Sequence, residues 1–271
     1  MSETAVSKER ERYLQKKRIH KISVRLCQFS ILFFSVTVWE VAARLGMIDS
    51  FIMSSPSRIW ATMLNYKAND LLHHIGVTFV ETIIGFSLGI VIGIGVSFLL
   101  WWSNFLSKVF DPYLVMLNAL PKIALGPVII IWVGAGMQAV IVMALAISLI
   151  VTIMEMLNGF KSTEPELIKM VKTLGAKKWQ TFIKVVFPYN LHTLFNCMKI
   201  NIGLTLVGVI AGEFLVSRAG LGYLIIYGGQ VFQMDLVMTS VIILAVLAAF
   251  FYQGVVFIER ATMFLFKKGV K

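Results

Sequence analysis

Few residues in this 271-residue chain have the type and spacing to do chemistry, and those few suit the handling of charge and motion rather than bond breaking. It has no Gly-x-x-x-x-Gly-Lys-Ser/Thr phosphate loop, no His-Glu-x-x-His and no Cys/His cluster, so the chain does not bind ATP through such a loop and is not read as an enzyme. Lys122 lies in an apolar run interrupted by Pro121 and by Gly126-Pro127, and Glu213 lies in another, ahead of Gly220 and Gly222. A charge at the centre of a membrane helix costs about 2.5–3.5 kcal/mol on insertion scales, so Lys122 needs a partner or a purpose. Two readings stay open: a basic site in or near a path for an anion, or a side chain that snorkels or pairs with Glu213. The prolines and Gly126 free backbone groups that lipid cannot satisfy, which is tolerated where the break lines a cavity or packs within protein.

The elements that must position these residues follow from composition. The chain is 58% hydrophobic and 14% charged, with 20 Gly, 6 Pro and 2 Cys. Globular chains run near 45–50% apolar and about 25% charged, so the excess must face lipid. Disorder, collagen and a disulfide scaffold are excluded, and Cys27 and Cys197 are expected to stay reduced. About 20 mostly apolar residues span a bilayer core. Six segments qualify or come close: Leu26 to Ala43, Val77 to Leu100, Tyr113 to Val133, Met137 to Leu157, Ile200 to Val216 and Leu236 to Ile258. The fold class is therefore all-α, polytopic, with about six membrane helices.

The net charge of +11 could suggest nucleic acid, but the placement of the basic residues points to membrane orientation. Most of the 25 Lys and Arg lie in the tail through Arg25, in the segment from Lys161 to Lys184 and at the C-terminus; the opposite loops hold Arg44, Arg58, Lys67 and Arg218. By the positive-inside rule both termini are cytoplasmic. No small-residue cleavage site follows the first apolar stretch, so it is expected to remain as an anchor. Residues 1–25 form a basic cytoplasmic tail, disordered from Met1 to Lys21, and residues 26–271 one membrane domain. Gly85, Gly89 and Gly93, with Ser97 on the same face, mark a helix contact, because small residues one turn apart let backbones approach. Gly208 and Gly212 repeat the pattern more weakly. Glu40, Glu81 and Glu155 are read as structural groups toward span ends, and His73 and His74 as a solvated loop pair.

Residues 159–195 form a connection far longer than the 2–8 residues typical between packed helices. Thr163-Glu164-Pro165-Glu166 reads as a helix start, with Thr163 as N-cap and Glu166 closing a capping box. Leu167, Met170, Val171 and Leu174 then fall on one helical stripe that Gly175 stops, and Ala176 begins the turn. Trp179, Phe182, Ile183 and Val186 repeat the spacing until Pro188 ends the second helix. Helices this short are marginal alone. Their apolar faces pack on the ends of their own spans, lie in the lipid interface, or meet a partner.

This loop resembles the cytoplasmic loop of ABC importer permeases, Glu-Ala-Ala, three residues, Gly, nine residues, Ile-x-Leu-Pro. Lys169-Met170-Val171 stands at the first triplet, a departure that removes its acidic residue; Gly175 and Val185-Val186-Phe187-Pro188 keep the spacing. Trp39-Glu40-Val41-Ala42-Ala43-Arg44, Leu120 to Pro127 with Ile131-Trp132-Val133-Gly134, and Gly212-Glu213 followed by Gly220-Leu221-Gly222 resemble the nitrate, sulfonate, taurine and bicarbonate branch, over nearly all of the chain after the tail. Permeases similar to these also serve pyrimidine, thiamine-precursor and riboflavin uptake.

The resemblance implies a bacterial inner-membrane permease. Its expected partners are cytoplasmic ATPase subunits that bind MgATP, a second permease copy, an extracytoplasmic solute-binding protein and the bilayer, with no nucleic acid. Residues 159–195 would then be the ATPase-coupling loop, with Pro121, Lys122, Gly126, Pro127, Glu213, Gly220 and Gly222 in the translocation path or gate. The cargo it suggests is a small anion such as a sulfonate, taurine or nitrate. An ion-coupled secondary carrier is the more remote reading, because it calls for paired acidic residues near the midplane and Glu213 has no acidic companion along the sequence.

Overall fold

The computed structural model describes residues 3–67 and 69–269, and among them every regular element is helical. The chain divides into two compact units, residues 1–64 and 65–271.

In the first unit, α1 (Glu3–Arg44) runs unbroken from the basic tail into the first apolar segment. The tail expected to be disordered is thus helical over its described part; Met1 and Ser2 lie outside the described residues. Once the apolar segment is helical, each added residue extends the helix by one hydrogen bond without a new nucleus, and the tail is rich in the helix formers Lys, Arg, Glu and Gln. A single turn, α2 (Ser50–Met53), precedes α3 (Pro56–Leu64). Glu40 joins α1 to α3: one carboxylate oxygen accepts from Arg44 Nε at 2.7 Å and the other from the Ser57 amide at 3.0 Å.

The second unit begins with α4 (Leu71–Trp102) and α5 (Asn104–Ala119). After a 3-10 turn over Lys122–Leu125 come α6 (Gly126–Val133) and α7 (Met137–Lys161). The long connection holds α8 (Pro165–Thr173), α9 (Lys178–Thr181), a π turn over Phe182–Val186 and α10 (Phe187–Tyr189). It leads into α11 (Leu191–Val216), α12 (Leu221–Gln230) and α13 (Met234–Gly269). Among the described residues five helical segments are long and apolar enough to cross a membrane: Tyr13–Arg44, Leu71–Trp102, Met137–Lys161, Leu191–Val216 and Met234–Leu265. The expected span from Tyr113 to Val133 is instead two helices, α5 and α6, bent by 88° at the break. The residue before a proline is driven toward extended backbone, and Leu120, at φ −64 and ψ 139 ahead of Pro121, obeys that rule.

The centre of this unit is α7, held between α4 and α11 by close backbone approach. A Cβ added to Gly85 would sit 3.0 Å from Ala144 Cβ, one on Gly89 would sit 3.1 Å from Ser148 Oγ, and one on Gly93 would strike Thr152. From the other side, a Cβ on Gly208 would lie 2.5 Å from Ala144 Cα and one on Gly212 would lie 2.8 Å from Val140 Cα. Ser97, next on the α4 face, donates its hydroxyl to Ile153 O at 2.9 Å. The α11–α13 contact carries an ion pair, Lys199 Nζ to Glu259 Oε2 at 2.6 Å. Cys27 is exposed and Cys197 buried, both free.

Candidate functional site

The loop between α7 and α11 is a built structure. Pro165 opens α8, with Glu164 as N-cap residue, and Glu166 in the first turn is favourably placed against the helix dipole. The expected capping box does not form, because the Thr163 hydroxyl is used elsewhere. It is buried and accepts from Asn190 Nδ2 at 2.9 Å, so the first residues of the loop are stitched to its last. Gly175 has φ +83 and closes α8 with paired bonds, Gly175 N to Lys172 O at 3.0 Å and Ala176 N to Val171 O at 3.0 Å. Pro188 does not end the second helix. The π turn over Phe182–Val186 absorbs its missing amide, with the Phe187 amide donating to Phe182 O, and the chain continues through α10 toward α11.

Neither of the two apolar stripes read from the sequence stays on one side. Leu167 and Val171 are half-buried, as is Ile168, which packs on the cluster of Met156, Phe160, Phe182, Val186 and Cys197. Met170 and Leu174 face outward, at 55% and 80% exposure. Phe182 is the inner anchor, with ring centroids 4.5 Å from Phe98, 5.1 Å from Trp101 and 5.2 Å from Phe160. Trp179 is more than half exposed, yet its ring meets Phe98 edge-on at 5.6 Å. Lys178 Nζ lies 5.3 Å from the Trp102 ring and 5.7 Å from the Trp101 ring, and donates to Trp102 O. The loop therefore seats on the C-terminal end of α4 as well as on its flanking spans. Sequence reading missed Phe98, Trp101 and Trp102, and Lys178, expected to face headgroups, instead sits over the tryptophans; the run of aromatic residues closing α4 was the available signal.

At the α5–α6 break, Lys122 is half-buried and its ammonium turns back on α5, donating to Asn118 O at 2.9 Å. It does not pair with Glu213. With Pro121, Ile147 and Val207 it lines a cavity of about 260 Å3. A second cavity, about 390 Å3, shares Ile123 and Val207 with the first and continues along Ala211 and Phe214 of α11. Gly126 is buried where a Cβ would strike Leu215, and Pro127 follows it in the first turn of α6 rather than breaking a helix.

Glu213, at 1% exposure, belongs to a different constellation. Thr78 donates its hydroxyl to Glu213 Oε1 at 2.6 Å, and the Gly222 amide donates to Oε2 at 2.5 Å. The Leu221 amide donates to Thr78 Oγ1 at 2.8 Å, and the Gly220 amide to His74 Nδ1 at 2.9 Å. Gly220 has φ +109 and a Cβ there would overlap the Glu213 carboxylate; one on Gly222 would lie 2.7 Å from Oε2. His74 is thus a buried acceptor, stacked on Tyr223 at 5.6 Å, not half of a solvated pair. Glu81 is also 1% exposed and touches Glu213, so it is no end-of-span carboxylate and Glu213 has an acidic companion after all. Gly85-Phe86-Ser87-Leu88-Gly89 has the spacing of a hydrolase nucleophile elbow, but it lies inside α4, without the strand and sharp turn such a serine needs.

Comparison with known proteins agrees with this architecture. Residues 85–262 match the family described as binding-protein-dependent transport system inner membrane component. The formylaminopyrimidine transport permease ThiX of Halalkalibacterium halodurans is 28% identical over 71% of this chain and 77% of its own. The aliphatic sulfonates transport permease SsuC of Bacillus subtilis, a provisional assignment, is 25% identical over 83% of this chain and 82% of its own. A chain from the inward-facing MetNI methionine ABC transporter superposes with TM-score 0.64 at 22% identity, covering 70% of this chain and 95% of that one.

Proposed function

Since the chain belongs to the binding-protein-dependent transport system inner membrane component family, we propose that it is the membrane-spanning subunit that gives a small solute alternating access in an ABC importer of the bacterial plasma membrane. In that assembly two ATPase subunits, which bind MgATP, face the loop; a second copy of this chain completes the path; a solute-binding protein delivers cargo on the far side. Both termini lie in the cytoplasm, a reading supported by the basic residues of the tail and loop.

The observation that carries this reading is the division of the loop surface. Phe182 and Val186 fix the loop inward, while Met170 and Leu174 remain exposed on a short helix held at a set angle by Gly175. Short amphipathic helices of this kind seat in grooves of soluble partners and pass on rigid-body motion. Movement of α8 would reach α4 through Lys178 and Phe182, and α7 and α11 through Thr163 and Asn190.

The favoured cargo is a small anion such as a sulfonate, taurine or nitrate. Lys122 supports it: the hydrogen-bond partner of its side chain is the uncharged Asn118, and it stands beside a cavity where an anion could meet it. A pyrimidine, thiamine precursor or riboflavin is the second reading, favoured by the apolar cavity along Phe214 and by the likeness to ThiX. The test is to purify the tagged chain from its native membrane in mild detergent, identify what accompanies it, and measure ATP-dependent uptake of labelled sulfonate, taurine and nitrate in vesicles. Co-purification of an ATPase whose hydrolysis responds to a solute-binding protein is expected. Solute movement by the chain alone without ATP would overturn the reading in favour of an ion-coupled carrier.

A further inference from the structure

Glu81 of α4 and Glu213 of α11 are both buried to 1% exposure, and Thr78, one turn before Glu81 on the same face of α4, donates to Glu213 Oε1 at 2.6 Å, which brings the two carboxyl groups side by side. Two carboxylates buried side by side repel and cannot both stay charged, so one must carry a proton. The donors around them assign it. Glu213 accepts from the Thr78 hydroxyl on one oxygen and from the Gly222 amide on the other, so it is the acceptor and has no reason to hold a hydrogen of its own. Glu81 receives no such donors: its Oε2 is buried without a hydrogen-bond partner, a position tolerable for the carbonyl oxygen of a neutral acid and costly for an anion.

Glu81 also lines a cavity of about 380 Å3 with Gly76, Val77, Val80 and Met137, which gives the group a way to exchange its proton with water. Among the described residues, the other titratable and charged groups on the elements packed around the pair are Asp70, His73 and His74 at the start of α4, His192, Cys197 and Lys199 of α11, Arg218 in the turn before α12, Tyr223 and Tyr227 of α12, and Asp235, Tyr252, Glu259 and Arg260 of α13. Glu155 and Lys161 of α7 stand toward its far end.

We propose that Glu81 and Glu213 form a single-proton site that clasps the Gly220–Gly222 turn to α4. With the proton on Glu81, Glu213 stays in place to hold the Gly222 amide and Thr78, and through Thr78 the Leu221 amide. When the proton leaves Glu81 for water in the cavity, two adjacent buried carboxylates repel, and the turn that leads into α12 loses its anchor. This holds whatever the cargo and whether or not the chain acts as an importer.

The test is infrared spectroscopy of the full chain in detergent, with and without carbon-13-labelled glutamate, together with its melting temperature against pH. At neutral pH the wild type is expected to show a label-sensitive carbonyl band of a protonated carboxylic acid. Glu81→Gln is expected to lose that band, while Glu155→Gln keeps it. The melting temperature of Glu81→Gln should also change less between neutral and alkaline pH than that of the wild type. Absence of the band from the wild type, or its persistence in Glu81→Gln, overturns the proposal. Should Glu81→Gln fail to fold, the wild type decides alone: the band must fade together with the melting temperature on alkalinisation, and a fall in melting temperature with the band unchanged refutes the site.

Discussion

The ring of Phe182, in the loop between α7 and α11, stands 4.5 Å from that of Phe98, one turn from the end of α4. A segment read from sequence as a connector of its two flanking spans is thereby fastened to a third.

Phe182→Ala should cost about 3–5 kcal/mol of stability, as other buried Phe-to-Ala changes do, and lower the melting temperature in detergent. Leu174→Ala, on the exposed side of the same loop, should alter stability by less than about 0.5 kcal/mol and yet weaken binding of the ATPase subunit roughly tenfold. Titrating the purified ATPase onto each variant separates the two; unchanged affinity in Leu174→Ala would remove α8 from the interface.

Gly175→Val should insert normally and lose coupled uptake. Open space surrounds the position, so the whole penalty is the positive φ, about 1–2 kcal/mol for a residue with a Cβ. A variant that hydrolyses ATP with its partners and does not move solute is the expected result, read from paired hydrolysis and uptake assays. Wild-type uptake would refute a fixed loop angle.

Gly220→Ala and Gly222→Ala should both damage the fold, because each new Cβ meets the Glu213 side chain. Gly229→Ala and Gly254→Ala meet nothing within 4 Å and serve as controls. Elution profiles of fluorescently tagged variants should show the first two aggregated or poorly expressed and the controls monodisperse.

Lys122→Glu should lower anion uptake at least tenfold, and adding Glu213→Lys should not restore it, since Glu213 is bound to Thr78 and Gly222 instead. Lys122→Arg should retain much of the activity. Rescue by the double reversal would show that the two charges meet during transport.

Five of the six expected spans and the place of the break in the other were legible because each has a local cause: apolar length, glycine register, Pro121. The glycine turn at Gly175 was legible for the same reason, since a left-handed residue at a helix end leaves its mark in one position. Partnership across the sequence was not. Nothing around Glu81 marks it as the neighbour of a residue in α11, and His74 looks solvated until the Gly220 amide is brought to it. Thr163 carried a sound capping signal that lost to a longer-range bond with Asn190. The prolines show both outcomes: Pro121 broke its segment as expected, whereas Pro188 was accommodated by one wide turn.

Ala144 is touched by the places where both Gly85 of α4 and Gly208 of α11 lack a side chain. With backbones that close against both neighbours, rotation of α7 about its axis or a slip by a turn would bring bulkier residues into the glycine contacts of α4 and α11. Close packing of this kind favours movement of the three helices together over sliding of one past another. The loop that seats on α4 and joins α7 to α11 is thus bonded to all three of them at one end, which is where a push reaches them together.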